Sequence, residues 1–212
     1  MKQRTSIFAV SILAIAGLTV VGRSQDPGQG QTQDATNLKV GAPLPPFTIS
    51  GVDGKQYLIK DLQNPGHPAF LYFINEADAT SREATPFINR IVKAHQPGDI
   101  KVFGIINARD DKARSFQSEF QPPYQVLLDP DLSTIQLLGV KSAPTVVMID
   151  SAGNVGHVWT GFSAAALKEI NTAMADGGTG RAQTFDVGSA PETTKYGAPY
   201  VTKTGGTTSG GR

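Results

Sequence analysis

Between Phe73 and Phe87 the chain reads FINEADATSREATPF. An apolar run stops there and a helical period begins. At such a junction the first N–H groups of the helix are unpaired and its dipole presents a positive end, which suits an anion. The polar side chains on offer are Asn75, Glu76, Asp78, Thr80, Ser81 and Arg82. Asp78 or Thr80 can cap the helix, and Thr80 with Glu83 has capping-box spacing. Such a cap is worth about 0.5–2 kcal/mol. The same positive end, together with Arg82, also suits an anion or an extended peptide. Ser81 has no paired histidine to lower its proton affinity, so its hydroxyl is no candidate nucleophile.

The 212 residues include no cysteine. That removes disulfides, thiolate nucleophiles and cysteine-held zinc or iron–sulfur clusters. His67, His95 and His157 have no metal-ligand spacing, so neither a metal nor another cofactor is expected. DPDLS, from Asp129 to Ser133, offers too few oxygens for calcium and predicts a turn that caps the next helix. Net charge is +1, with acids and bases interleaved, which excludes an electrostatically steered nucleic-acid partner.

The elements that must position this junction follow from periodicity. AFLYFIN, Ala69 to Asn75, is a near-continuous apolar run and predicts a strand buried on both faces. Ala84, Phe87, Ile88, Ile91 and Val92 then recur on one helical face. IKVFGIINA, Ile100 to Ala108, is a second buried strand, so the three form a βαβ unit with a right-handed crossover. Upstream, FTIS and KQYLIKDL flank Gly51–Gly54 as a hairpin. Downstream come a helix (DKARSFQSEF), a strand (YQVLLD) and a short helix stopped by Gly139. A second hairpin closes at Ser151–Asn154, and a last helix is capped by Ser163, with Trp159 and Phe162 packed against it. The fold class is α/β: a central mixed sheet of about five or more strands, helices on both faces, and an N-terminal β-hairpin extension.

The flanks differ in composition. Lys2 and Arg4 precede an apolar run over residues 7–21 and the small residues Gly22 and Ser24. Residues 1–24 therefore read as a signal peptide, with an uncleaved N-terminal anchor as the alternative. Residues 25–37 read as a flexible linker, 38–176 as the folded domain, and 177–212 as a disordered Gly/Thr-rich tail. Phe185, Tyr196 and Tyr200 are the tail's few candidate docking points. Export to the periplasm or cell envelope is expected, with membrane association only through residues 7–21.

The domain resembles the thioredoxin-like redoxins of the alkyl hydroperoxide reductase/thiol-specific antioxidant family. VGAPLPPFTISGVDGKQYLIKDL is similar to that family's opening, AFLYFIN to its central strand, and SREATPFINRI to the segment after the redox site, with Pro86 in the helix-kinking position. GVKSAPTVVMIDSAGNV is similar to its cis-proline loop and hairpin, which puts Pro144 at the cis-proline. The resemblance implies a thioredoxin-like fold and thiol–disulfide or peroxide chemistry. It also places the Cys-x-x-Cys on DATS, so Asp78 and Ser81 stand where the two thiols would be. The peroxiredoxin Pro, Thr and Cys would fall on Leu71, Asn75 and Asp78.

Thiol exchange and peroxide reduction both begin with a thiolate, so the chemistry implied by the resemblance has no reagent here. The expectation is a non-catalytic binding or scaffold module. Its groove would be formed by Asp78, Thr80, Ser81, Arg82, Ala143 and Pro144, and its partner would be a peptide or protein of the cell envelope. The alternative is an oxidoreductase that works with partner thiols or with a non-thiol group such as Asp78.

Overall fold

A computed structural model describes residues 36–63, 65–178 and 184–201. The signal or anchor segment and all but the end of the linker lie outside the described residues. Thr48–Gly51 (β1) and Gln56–Leu58 (β2) pair antiparallel around Gly54, whose φ of +80° suits a residue without a Cβ. A single helical turn, Ile59–Leu62 (α1), leads to Ala69–Ile74 (β3), all six residues of which are buried. Ala79–Ala94 (α2), Lys101–Ile106 (β4), Asp110–Phe120 (α3) and Gln125–Leu128 (β5) complete two successive crossovers. Ser133–Leu137 (α4), the hairpin Thr145–Ile149 (β6) with Val155–Thr160 (β7), and Ala164–Gly177 (α5) finish the domain.

The sheet has seven strands in the order β2-β1-β5-β4-β3-β6-β7. β3 lies parallel to β4 and antiparallel to β6, so the sheet is mixed. β3 and β4, then β4 and β5, are parallel neighbours, and right-handed crossovers taken in one direction put both connecting helices on the same face. Alternation along β3 divides the core accordingly. Phe70, Tyr72 and Ile74 pack with α2, α3 and α5, while Ala69, Leu71 and Phe73 pack with α1 and α4 on the opposite face. Trp159 and Phe162 join Leu167 and Ile170 of α5 in the first cluster, and the Trp159 indole N–H donates to Glu169 at 2.9 Å. The expected α/β architecture and its N-terminal hairpin are both present.

The tail corrects the composition-based expectation. Thr184–Val201 is laid along the domain rather than disordered. Phe185, Val187 and Ala190 pack on the α2–α5 core, and the Arg90 guanidinium donates to the Asp186 carbonyl at 3.2 Å. Ala164 N–H donates to the Pro191 carbonyl at 2.8 Å, and Phe162 and Lys195 exchange two backbone hydrogen bonds of 2.9 Å. Bridges of antiparallel type join Phe162 to Lys195 and Ser142 to Pro199. The segment is held mostly by its own N–H and C=O groups, which every residue type carries. Low hydrophobicity and missing periodicity therefore did not predict its order. Residues 179–183 and 202–212 of the tail lie outside the described residues.

Candidate functional site

The junction after β3 is knitted by short polar bonds. Asp78 N–H donates to the Asn75 carbonyl at 3.1 Å, Glu76 N–H to Asn107 Oδ1 at 2.8 Å, and Asn107 Nδ2 to Asn75 Oδ1 at 3.2 Å. Asp78 is the helix cap: its backbone is extended and its Oδ2 accepts from Ser81 N–H at 2.8 Å. The capping box expected of Thr80 and Glu83 does not form. Thr80 stands half-buried on the first turn of α2, and Glu83 accepts instead from the Lys195 ammonium at 2.8 and 2.9 Å.

The other side chains expected in the groove diverge. Ser81 has no exposed surface; its Oγ accepts from Asn75 N–H at 3.2 Å, and its carbonyl accepts from Thr85 Oγ1 at 2.8 Å. The Tyr72 hydroxyl also reaches that carbonyl at 3.2 Å, and burial holds the Tyr72 phenol well above its ordinary range. Arg82 turns away to α3, where it pairs with Glu119 and stacks over Phe120 at 5.1 Å. The groove wall on this side is thus Asp78 and Glu83, with Ser81 beneath it and Arg82 outside it.

The facing wall is backbone. The Ala143–Pro144 peptide is cis and Ala143 is fully buried. Ser142 carbonyl accepts from Thr145 Oγ1 at 2.8 Å, and Pro144 carbonyl from Gly161 N–H at 2.7 Å, which fixes the loop against the end of β7.

Between the walls runs the tail. Ala198 N–H donates to Asp78 Oδ1 at 2.9 Å, and Tyr200 N–H to the Lys141 carbonyl at 2.9 Å. A methyl group on Gly197 would overlap the Ala143 carbonyl oxygen and the Asp78 carboxylate. On the opposite side a methyl on Gly161, whose φ is +72°, would overlap the Lys195 carbonyl. Two glycines, one in each segment, therefore let the backbones approach. Tyr200 seats its ring against the Leu71–Phe73 face of the core, with its hydroxyl enclosed and unpartnered. Burial, then Tyr72, Asp129 and Asp78, push the Tyr200 phenol well above its ordinary range.

Gly161, Lys195, Gly197 and Ala198 carry no signal in the sequence, which assigns Glu83 and Phe162 other roles. The tail's aromatics do carry one: Phe185 and Tyr200 both pack on the core. Asp129 does cap α4, its Oδ2 accepting from Ile135 N–H at 2.8 Å. An adjoining cleft of about 750 Å³ beside Glu76, Arg109, Lys112 and Asp131 mixes both charge signs and favours no single ionic ligand. Among the described residues no cluster of three or more His, Asp or Glu could hold a metal ion. Each Asp78 oxygen accepts one backbone N–H, one from its own helix and one from the tail, so the carboxylate joins the two.

Comparison with known proteins agrees with this architecture. Residues 40–158 match the profile of the AhpC/TSA family. The chain is similar, at 24% identity over 160 residues, to the thiol-disulfide oxidoreductase ResA of Bacillus thuringiensis and of Bacillus anthracis, covering 73% of this chain and 87% of each relative. A secreted disulfide oxidoreductase of Mycobacterium tuberculosis, homologous to DsbE of E. coli, matches with a TM-score of 0.53 at 21% identity, over 61% of this chain and 95% of that one. A hypothetical protein of Sinorhizobium meliloti 1021 matches with a TM-score of 0.60 at 12% identity, over 77% of this chain and 95% of that one. Likenesses this distant carry the thioredoxin-like fold.

Proposed function

The chain belongs to the AhpC/TSA family, and on that premise we propose that it is an exported, thioredoxin-like binding module without thiol chemistry of its own. The observation that carries this is the absence of any cysteine beside an intact fold, and the resemblance puts Asp78 and Ser81 where the two thiols would be. A carboxylate capping a helix and a hydroxyl buried beneath it supply neither the attacking sulfur of disulfide exchange nor the sulfenic acid of peroxide reduction. The relatives are named as thiol-disulfide oxidoreductases; that activity needs a group this chain lacks.

What remains is recognition. The groove between Asp78 and the Ala143–Pro144 loop holds an extended backbone through N–H donors to Asp78 and to the Lys141 carbonyl. That supports a peptide or protein segment of the cell envelope as partner. Export is supported by the order Lys2, Arg4, apolar 7–21, Gly22, Ser24, and by the secreted M. tuberculosis relative. An oxidoreductase using Asp78 is disfavoured because a carboxylate supplies neither the attacking thiolate of disulfide exchange nor a sulfur that could become a sulfenic acid.

The test is turnover. The purified chain is offered insulin disulfides or hydrogen peroxide with a dithiol donor. No rate above the donor alone is expected, and sustained catalytic turnover would refute the proposal.

A further inference from the structure

The groove is occupied. Lys195 to Tyr200 crosses it, paired with Phe162 at one end and Lys141 at the other. Five of its six residues meet a complementary feature, and Tyr196 is half exposed. The Lys195 ammonium reaches the Glu83 carboxylate. Gly197 passes where the Ala143 carbonyl and Asp78 leave no room for a Cβ. Ala198 supplies the N–H that Asp78 Oδ1 accepts. Pro199 sits in the antiparallel bridge to Ser142, and Tyr200 drops its ring onto the apolar face below. These contacts come from independent elements, α2, the 141–144 loop and the end of β7, and they converge on one six-residue stretch.

We infer that the groove selects extended peptides with a cation, then glycine two residues on and an aromatic three residues beyond it, and that the chain's own Lys195–Tyr200 is the resident ligand that closes the groove to others. This rests on the binding-module reading and adds to it a ligand pattern and a gate. The tail competes at the effective concentration of a tethered segment, so a free peptide binds only in the fraction of molecules whose groove is open. A partner carrying the pattern must therefore displace the tail, or meet a chain in which the tail has been drawn away.

The test uses the full chain and a fluorescent peptide, KYGAPYV, copied from residues 195–201. Gly197→Val expels the tail by the overlap with Ala143 and Asp78. The peptide is expected to bind Gly197→Val about tenfold or more tightly than wild type, as an opened competition requires. The same peptide with valine for its glycine is expected to bind neither. Equal binding of KYGAPYV to wild type and Gly197→Val would overturn the resident-ligand assignment alone. Equal binding of the two peptides to Gly197→Val would overturn the pattern. A released tail, read by fast amide exchange, with no binding of either peptide would sink the binding-module reading itself. Tyr200→Ala, which removes the anchor without a clash, gives the same comparison should Gly197→Val fold poorly. A concentration-dependent wild-type dimer with protected tail amides would assign the occupant to a second copy and contradict the gate within one chain.

Discussion

The two walls of the groove hold different things. On the α2 side, where Asp78 and Ser81 stand, chemistry would lie in side chains, and the chain has no cysteine to supply sulfur there. On the 141–144 side the interaction is made by backbone carbonyls, and there an extended segment is held at 2.9 Å. Catalysis depends on the identity of one or two atoms and is removed by one or two substitutions. Recognition through main-chain groups depends on the path of the chain, which the whole fold maintains. The two walls therefore respond differently to substitution: a side-chain wall changes with one residue, a main-chain wall only with the path of the chain.

The largest expected effect comes from the apolar anchor. Tyr200→Ala should weaken tail docking by about 2 kcal/mol, below the roughly 3–5 kcal/mol for truncating a fully buried aromatic, because the residue is only partly buried. Amide exchange and limited proteolysis of the tail check this, and an unchanged tail would mean that backbone pairing alone suffices. Tyr200→Phe sharpens the same point with pH. The docked phenol is held above its ordinary value, so docking is strongest below about pH 10, where the free tail's phenol is neutral too, and falls as the free phenol ionises. Phenylalanine should dock at least as well and show a smaller fall at high pH than the wild type, followed by tail proteolysis across the range.

Asp78→Ala tests the side-chain wall. It removes a helix cap, about 0.5–2 kcal/mol of domain stability, and also the acceptor for Ala198. Thermal unfolding should therefore shift while tail docking weakens by about 1 kcal/mol. A loss of stability with an unaffected tail would show that only the backbone wall holds the peptide.

The smallest effect belongs to Lys195→Ala. Lys195 and Glu83 keep 49% and 44% of their side-chain surface exposed, so the pair is worth about 0.2–1 kcal/mol and should fade with added salt. Tail proteolysis at low and high ionic strength reads it, and a larger or salt-independent loss would contradict a solvated pair.

Much of the fold was legible because its signals are local. AFLYFIN could only be a strand buried on both faces, and the Ala84–Val92 spacing marked the face of α2 that reaches the core. The candidate site was legible only in part. Asp78 as a cap followed from residue type, but Arg82 and Ser81 were placed in the groove because sequence gives no rotamer; one found Glu119 and the other turned inward. The tail was missed for a deeper reason. Its order rests on backbone pairing with Phe162, Ser142 and Lys141, and on glycines at 161 and 197 that permit close approach. Neither a missing Cβ nor a main-chain N–H advertises its partner along the sequence.

The central claim is that an extended segment of the chain itself lies between Asp78 and the 141–144 loop. Amide hydrogen exchange at Lys195, Ala198 and Tyr200 in the full-length protein tests it most directly, with the free KYGAPYV peptide as reference. All three amides are expected to exchange at least about tenfold more slowly in the protein, and Gly197→Val to abolish the protection. Exchange as fast as in the free peptide would contradict it.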